Sequence, residues 1–332
     1  MMKQTHKKPA TIARRGGVSE AARQLSILIA SVVLALMIGV GAASGQSVKE
    51  DLFHHRAMES VFWSVPLVQF KIVRDSLVDG QGVGFNGVGY YSKIQNWKMQ
   101  MATPNDTTPY LVAFWNVKDG PVVVDFPASN ADIGIFGTLM DAWQRALEDV
   151  GATGLDRGRG AKYLILPPGY RGNIPTGYTP IQQETFNGFT ALRPIMPDTS
   201  EASLEKVVAL AKTIKIYPLA KAGNPPAMNY VDVYDKLVIG IPTFNESYFD
   251  ELNDIIQEEI IDEKDLVMLG MLKYIGIEKG VPFKPDTQTR ELLGKAAEEA
   301  HKHLIDLYHT HLIPPYYEGT RWTVIVPEGA FE

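Results

Sequence analysis

Changes of hydrophobic period along this chain limit its architecture more than any single motif does. Between Val48 and Leu77 the apolar residues Met58, Val61, Phe62, Val65, Val68 and Ile72 recur at three- and four-residue spacing. That spacing puts them on one face of an amphipathic helix, kinked or interrupted near Pro66, whose ring leaves no backbone N–H to donate. The glycine-dense stretch from Gly80 to Gly89 reads as loop. After Pro104 the apolar runs become short and β-rich. Tyr110–Val117 and Pro121–Pro127 are predicted strands joined as a hairpin by Lys118-Asp119-Gly120, and Lys162–Leu166 and Phe189–Arg193 are further strands. Residues 131–150 carry both signals, because Gly134 and Gly137 disfavour a helix while Leu139–Val150 favours one. Helical spacing returns from Thr199. It predicts helices over Ser203–Thr213, along the stripe Phe249, Leu252, Ile256 and Ile260, along Leu266, Leu269, Leu272 and Ile275, and over Thr287–Leu312. Arg321–Val326 reads as one last strand. Strands early and helices late predict an α+β fold: an initial helix, a β-rich domain, then a mostly helical domain.

The segment ahead of this body has a different logic. Lys3, Lys7, Lys8, Arg14, Arg15 and Arg23 stand against the single acid Glu20, an apolar run follows from Leu25 to Val40, and small residues occupy Gly41 to Gly45. A basic stretch, a short apolar stretch and small residues in that order are the parts of a secretory signal peptide, with cleavage expected after Ala43 or Gly45. The competing expectation is a retained membrane anchor over residues 25–43, although a spanning helix needs about 20 apolar residues. The expected organisation is thus a targeting segment over 1–45, a β-rich domain over 46–198 and a helical domain over 199–312. A linker and strand over 313–332 then lead toward a C-terminal β domain that is absent. The expected location is periplasmic or secreted.

Composition removes whole classes of chemistry. The chain of 332 residues contains no cysteine, so thiol nucleophiles, disulfides and Cys-ligated metals are excluded. Its formal charge of -6 comes without a basic stripe, which argues against a nucleic-acid partner. Gly82-x-Gly84-x-x-Gly87 matches the dinucleotide fingerprint as a string, but a helix precedes it where a strand is required. His301-Lys302-His303 and His309-Thr310-His311 fall on a predicted helix, where the two members of each pair point about 160° apart and cannot share one metal. His54-His55 sits too near the expected mature N-terminus to be assigned a role. The acids Glu258, Glu259, Asp262, Glu263 and Asp265 read as a solvated, capping face rather than a calcium loop. No Gly-x-Ser-x-Gly elbow is present. No cofactor and no metal ligand set is therefore expected.

What remains is Pro104-Asn105-Asp106-Thr107-Thr108-Pro109-Tyr110, which packs an amide, a carboxylate, hydroxyls and a phenol before a strand. Such residues build turns by bonding local backbone. They also suit the polar wall of a pocket, with Asn105 and Thr107 binding a ligand, Asp106 as base or acceptor, Tyr110 as donor, and Arg171 and Arg193 anchoring an anionic group. Three functions fit: a small-molecule-binding or accessory protein, an exported hydrolase or lyase with Asp106 as general base, or a structural half of a larger protein.

The same run, with Gly120-Pro121-Val122-Val123-Val124, Asp149-Val150-Gly151, Tyr163-Leu164-Ile165-Leu166-Pro167-Pro168-Gly169-Tyr170, Tyr248-Phe249 and Gly276-Ile277-Glu278-Lys279-Gly280, resembles the bacterial family of domain of unknown function 1254. The resemblance covers roughly residues 55–310. It implies export and, usually, a following β-rich domain of unknown function numbered 1214, either as a domain or as a partner chain. It implies no activity. If the targeting reading holds, the intact mass of the chain recovered after export corresponds to a start at Ser44 or Gln46. Recovery of the uncut chain in the membrane fraction would establish the anchor instead.

Overall fold

The computed structural model describes residues 20–101, 105–130, 132–310 and 317–320, with side chains from Val48 to Leu307 and over 317–320. The chain divides into two compact units, 1–52 and 53–332. Within the described residues the first unit is the opening part of helix α1 (Glu20–Asp75). No helix among the described residues is long and apolar enough to cross a membrane. The expected strand at Arg321–Val326 lies outside the described residues.

The second unit is α+β. After α1 comes a π-helical turn, Ser76–Gly80, and then β1 (Val88–Tyr90), β2 (Met99–Gln100), β3 (Leu111–Asn116), β4 (Val122–Phe126) and β5 (Gly134–Asp141). There follow β6 (Ala146–Gly151), β7 (Ala161–Leu166), β8 (Thr179–Gln182), β9 (Asn187–Ile195), α2 (Glu201–Ala211) and β10 (Lys215–Pro218). The chain continues with β11 (Tyr230–Asp232), β12 (Val238–Ile239), α3 (Tyr248–Glu258), α4 (Leu266–Tyr274) and α5 (Thr287–Thr310). A six-stranded sheet has the order β11-β1-β3-β9-β5-β6, a four-stranded sheet the order β10-β4-β7-β8, and β12 pairs with β2.

Alternation along β3 explains the layering, since successive strand side chains face opposite ways. Val112 and Phe114 join a core built with α1, α3 and α5, whereas Leu111, Ala113 and Trp115 join the core shared with Val122, Val124, Tyr163 and Ile165 of the four-stranded sheet. The six-stranded sheet is therefore the middle layer, with helices on one face and a second sheet on the other. Helix α2 adds Val207, Leu210 and Ala211 to the inter-sheet core, and the hydroxyl of Ser200 caps its start by accepting from the Ser203 N–H. The outer face of the four-stranded sheet carries its own small cluster around Val123, Leu164, Leu166 and Tyr217.

Several sequence expectations need correction. β3 and β4 are not a hairpin: β3 pairs with β1 and β9, and β4 pairs with β10 and β7. Both strands are buried on both faces, so each needs partners in its own sheet, and Lys118-Asp119-Gly120 carries the chain between the layers. Gly120 makes that crossing with φ at 137°, which disfavours any residue bearing a side chain. Gly134–Asp141 and Ala146–Gly151 are strands rather than helix, because Asp141 accepts the N–H groups of Trp143 and Arg145 and so fixes a tight turn between β5 and β6. Gly137 belongs in β5 because a Cβ there would lie 2.9 Å from the Leu192 side chain and 3.1 Å from the Ala191 carbonyl. α1 runs through Pro66 without ending, and its carbonyl accepts from Gln144 Nε2 at 2.7 Å. Ile260 and Leu266, expected in buried stripes, are exposed.

α1 seats on the middle sheet through Phe70, whose ring centroid lies 6.1 Å from Phe114 and 5.4 Å from Phe189, which themselves stack at 5.9 Å. Phe114→Ala is expected to cost about 3–5 kcal/mol by emptying this junction, as read by urea denaturation. A cost below about 1 kcal/mol would mean that the helix layer is seated elsewhere.

Candidate functional site

The polar run at 105–110 folds mostly onto itself. Asn105 Oδ1 accepts the N–H of Thr107 at 2.8 Å, the N–H of Thr108 at 3.1 Å and the Thr107 hydroxyl at 2.9 Å, which is an Asx turn. Asn105 Nδ2 reaches the Tyr110 hydroxyl at 3.5 Å, and the Arg193 guanidinium sits over the Tyr110 ring, 5.2 Å from its centroid. Asn105, Thr107, Tyr110 and Arg193 are thus brought together, with Asp106 exposed on the turn. Arg171 is not with them. It borders a depression that also includes Gln182, Glu184, Asp262 and Glu263.

The more enclosed space lies at the other end of β3. A groove of about 660 Å³ opens where the chain crosses between the sheets. Phe85, Pro121, Val122, Pro218 and Leu219 give it apolar walls, and Asn86, Asn116, Lys118 and Asp119 contribute its polar groups. Asn86 sits in the left-handed region at φ 63°, held there by its own N–H donating to the Phe114 carbonyl at 2.8 Å. Its side-chain Oδ1 is buried and has no hydrogen-bond partner. The glycines around it serve this loop rather than a dinucleotide: Asn229 Nδ2 donates to the Gly82 and Val83 carbonyls, and β1 follows directly.

Behind the groove runs a chain of buried polar groups. Asn116 Nδ2 donates to Asn187 Oδ1 at 3.0 Å, and Asn187 Nδ2 donates to Glu259 Oε1 at 2.8 Å. Glu259 also accepts the N–H groups of Phe186 at 2.6 Å and Asn187 at 3.0 Å. Next to it Glu258 holds Arg74 through both carboxylate oxygens. Glu259 is only 4% exposed, so the acidic run is not the solvated face expected from sequence. Burial lifts its carboxyl above the ordinary range, and the three N–H donors oppose that lift. Lys279 Nζ closes the end of α3 on the carbonyls of Ile256, Gln257 and Glu259, and burial pulls its pKa down.

Sequence reasoning placed none of Asn86, Asn116, Asn187 or Glu259 in a site. Asn116, Asn187 and Glu259 find one another across more than seventy residues of chain, and the one local sign was an Asn within the glycine-rich loop. The groove sets apolar walls beside the polar groups of Asn116, Lys118 and Asp119, a combination able to hold a small molecule.

Residues 85–218, which run from the groove wall through the strands to β10, match the family described as "Protein of unknown function (DUF1254)". They are a DUF1254 segment. This bears out the resemblance read from the sequence, over β1 to β10. Among solved structures, the VPA0106 protein from Vibrio parahaemolyticus is similar with a TM-score of 0.56 at 14% identity, over 81% of this chain and 63% of that one. The likeness is one of fold, and this chain spans 63% of that protein's length. An uncharacterised protein from Burkholderia cenocepacia aligns over 56% of this chain and 53% of its own at 11% identity, with a TM-score of 0.28, too low to bear on the fold. No curated protein matches.

The polar chain behind the groove yields a pH test. A folded-state pKa above the unfolded one means the folded protein keeps its proton to higher pH. The contribution of Glu259 to stability is therefore full below the ordinary carboxylate pKa and is lost as pH rises through the raised value. Glu259→Gln turns an amide N–H toward donors at one end, and should cost about 1–3 kcal/mol at low pH. The gap between wild type and variant should narrow as pH rises, measured by urea titration across pH 4–8. A gap that widens with pH would reverse the sign assigned to Glu259.

Proposed function

We propose that this chain is an exported small-molecule-binding protein whose ligand lodges in the groove where β3 crosses to β4. The observation that carries the reading is the groove itself. Its size falls within the usual ligand-site range of about 300–1,000 Å³, and it joins apolar walls to a few fixed polar groups. Lys118 supplies a cation and Asp119 a carboxylate, so the ligand is small, partly apolar and polar at one end. The turn at 105–110 spends Asn105 on its own backbone and leaves Tyr110 beneath Arg193, which favours a wall that holds shape over one that reacts. The basic, apolar and small-residue order of the N-terminus supports export.

One further observation favours an accessory role in a larger assembly. Helix α4 buries only Leu272 and exposes Leu266, Val267 and Tyr274, beside the exposed Ile260 and Ile261. A patch of that composition suits contact with a second domain or chain.

Native mass spectrometry of the purified chain, compared with the denatured chain, is the test. A retained small mass should vanish on denaturation, fall at least about tenfold in occupancy in Ala220→Trp, which fills the groove from its rim, and persist in Asn105→Ala. Equal occupancy in wild type and Ala220→Trp, or loss in Asn105→Ala alone, would move the site to the 105–110 turn.

A further inference from the structure

Most polar groups at the crossing between β3 and β4 are already spent on the protein itself. The Lys118 N–H donates to Asn116 Oδ1 at 2.9 Å, the Gly120 N–H to the Val117 carbonyl at 3.0 Å, and the Leu219 N–H to the Pro121 carbonyl at 2.8 Å. Pro121 and Pro218 have no N–H to offer. The Asn86 N–H goes to the Phe114 carbonyl, and the Asn116 amide to Asn187. Two charged side chains of the groove remain. Lys118 makes no ion pair among the described residues; its Nζ lies 6.0 Å from the centroid of the Phe186 ring, near enough to the Lys279 ammonium that the two cations repel. Asp119, the next residue, makes no ion pair or hydrogen bond through its carboxylate among the described residues. Elsewhere on the surface opposite charges close on each other, Lys98 on Asp235 at 2.6 Å and Lys273 on Glu278 at 2.7 Å. Here a cation and a carboxylate stand side by side and unpaired, beside the apolar walls of one groove.

We propose, resting on the small-molecule reading of this groove, that its ligand is a free α-amino acid with a large apolar side chain. At neutral pH such a molecule carries a carboxylate and an ammonium on the same carbon, so its head presents both charges together. Lys118 receives the carboxylate through a charge-assisted hydrogen bond, and Asp119 accepts from the ammonium. A plain carboxylic acid would set a second negative charge against Asp119. A plain amine would set another positive charge against Lys118 and Lys279. The zwitterion meets both groups without either repulsion. Its side chain lies along the apolar walls, where the Phe85 ring, 43% exposed, gives it a face to cover. A groove of about 660 Å³ accommodates the bulkiest side chains and would hold small ones loosely. Lys118 and Asp119 are both exposed, so each head contact is worth about fivefold in affinity rather than the larger factor of a buried pair.

Isothermal titration of L-phenylalanine into the full chain at low ionic strength tests this, beside hydrocinnamate, which lacks the ammonium, and phenethylamine, which lacks the carboxylate. L-phenylalanine should bind at one site and at least about fivefold more tightly than either. Lys118→Met should weaken L-phenylalanine about fivefold and leave phenethylamine unchanged or tighter. Asp119→Asn should weaken L-phenylalanine about fivefold and leave hydrocinnamate unchanged or tighter. Both side chains are exposed, so the melting temperatures of these variants serve to confirm that they fold. Ala220→Trp should abolish binding of all three compounds. No binding of L-phenylalanine, equal affinity for hydrocinnamate, or binding indifferent to Lys118→Met and Asp119→Asn would each overturn the amino-acid assignment. The groove reading survives such a result if the mass retained by the native chain is still lost in Ala220→Trp, and falls with the assignment if that mass persists.

Discussion

The contact on which the helix layer depends is the ion pair between the buried Arg74 and the part-exposed Glu258. Arg74 lies in the last turn of α1 with its guanidinium almost wholly inside the protein, and Glu258 at the end of α3 meets it through both oxygens. Lys71 repeats the pattern one turn earlier, between Asp75 and Glu251. A cation taken out of water is costly unless its charge is met, and here the part-exposed carboxylates of Asp75, Glu251 and Glu258 meet it. The pairs therefore fix how far α3 can slide along α1. That register is what delivers Glu259, the next residue, to the N–H groups of Phe186 and Asn187 at the mouth of β9.

From there the constraint passes into the sheet. Asn187 is the first residue of β9, and β9 is the partner of β3, so Glu259 in effect pins the centre of the six-stranded sheet to the helix layer. Trp115 on β3 is held from the other side, its indole N–H donating to the buried Gln183 at 3.0 Å. The groove opens at the end of β3 where these restraints converge. Its Asn116 amide is held in place by a network that spans α1, α3, β3 and β9. A rigid polar wall of this sort suits selective binding, because little side-chain freedom remains to be lost when a ligand arrives.

Much of the fold was legible because it follows from local spacing. The first helix, the late helices and the strands at 111–116, 122–126, 161–166 and 187–195 all follow from apolar period and turn residues. The hairpin at Lys118-Asp119-Gly120 misled because a short polar turn between β-rich runs looks the same whether the chain folds back or crosses to another sheet. The difference lies in burial on both faces of β3 and β4, which depends on strands far away in the chain. Glu259 misled for a related reason: in an acidic run, nothing local separates the one carboxylate that turns inward from the four beside it. His54 needed α5 for a partner, and α5 lies some 245 residues later.

The sequence by itself determined the kinds of element and their order, the exclusion of thiol chemistry, the family likeness over the β-rich segment, and the turn chemistry of Asn105. These are properties of composition and of neighbours within a few residues, where side-chain periodicity and backbone sterics act directly. Only the tertiary structure decided which strands share a sheet, which carboxylate is buried, where the groove opens and which histidine meets which. Those outcomes depend on contacts between segments far apart in the chain. They are selected by the burial of both faces of the middle sheet and by the need to satisfy each charge taken out of water.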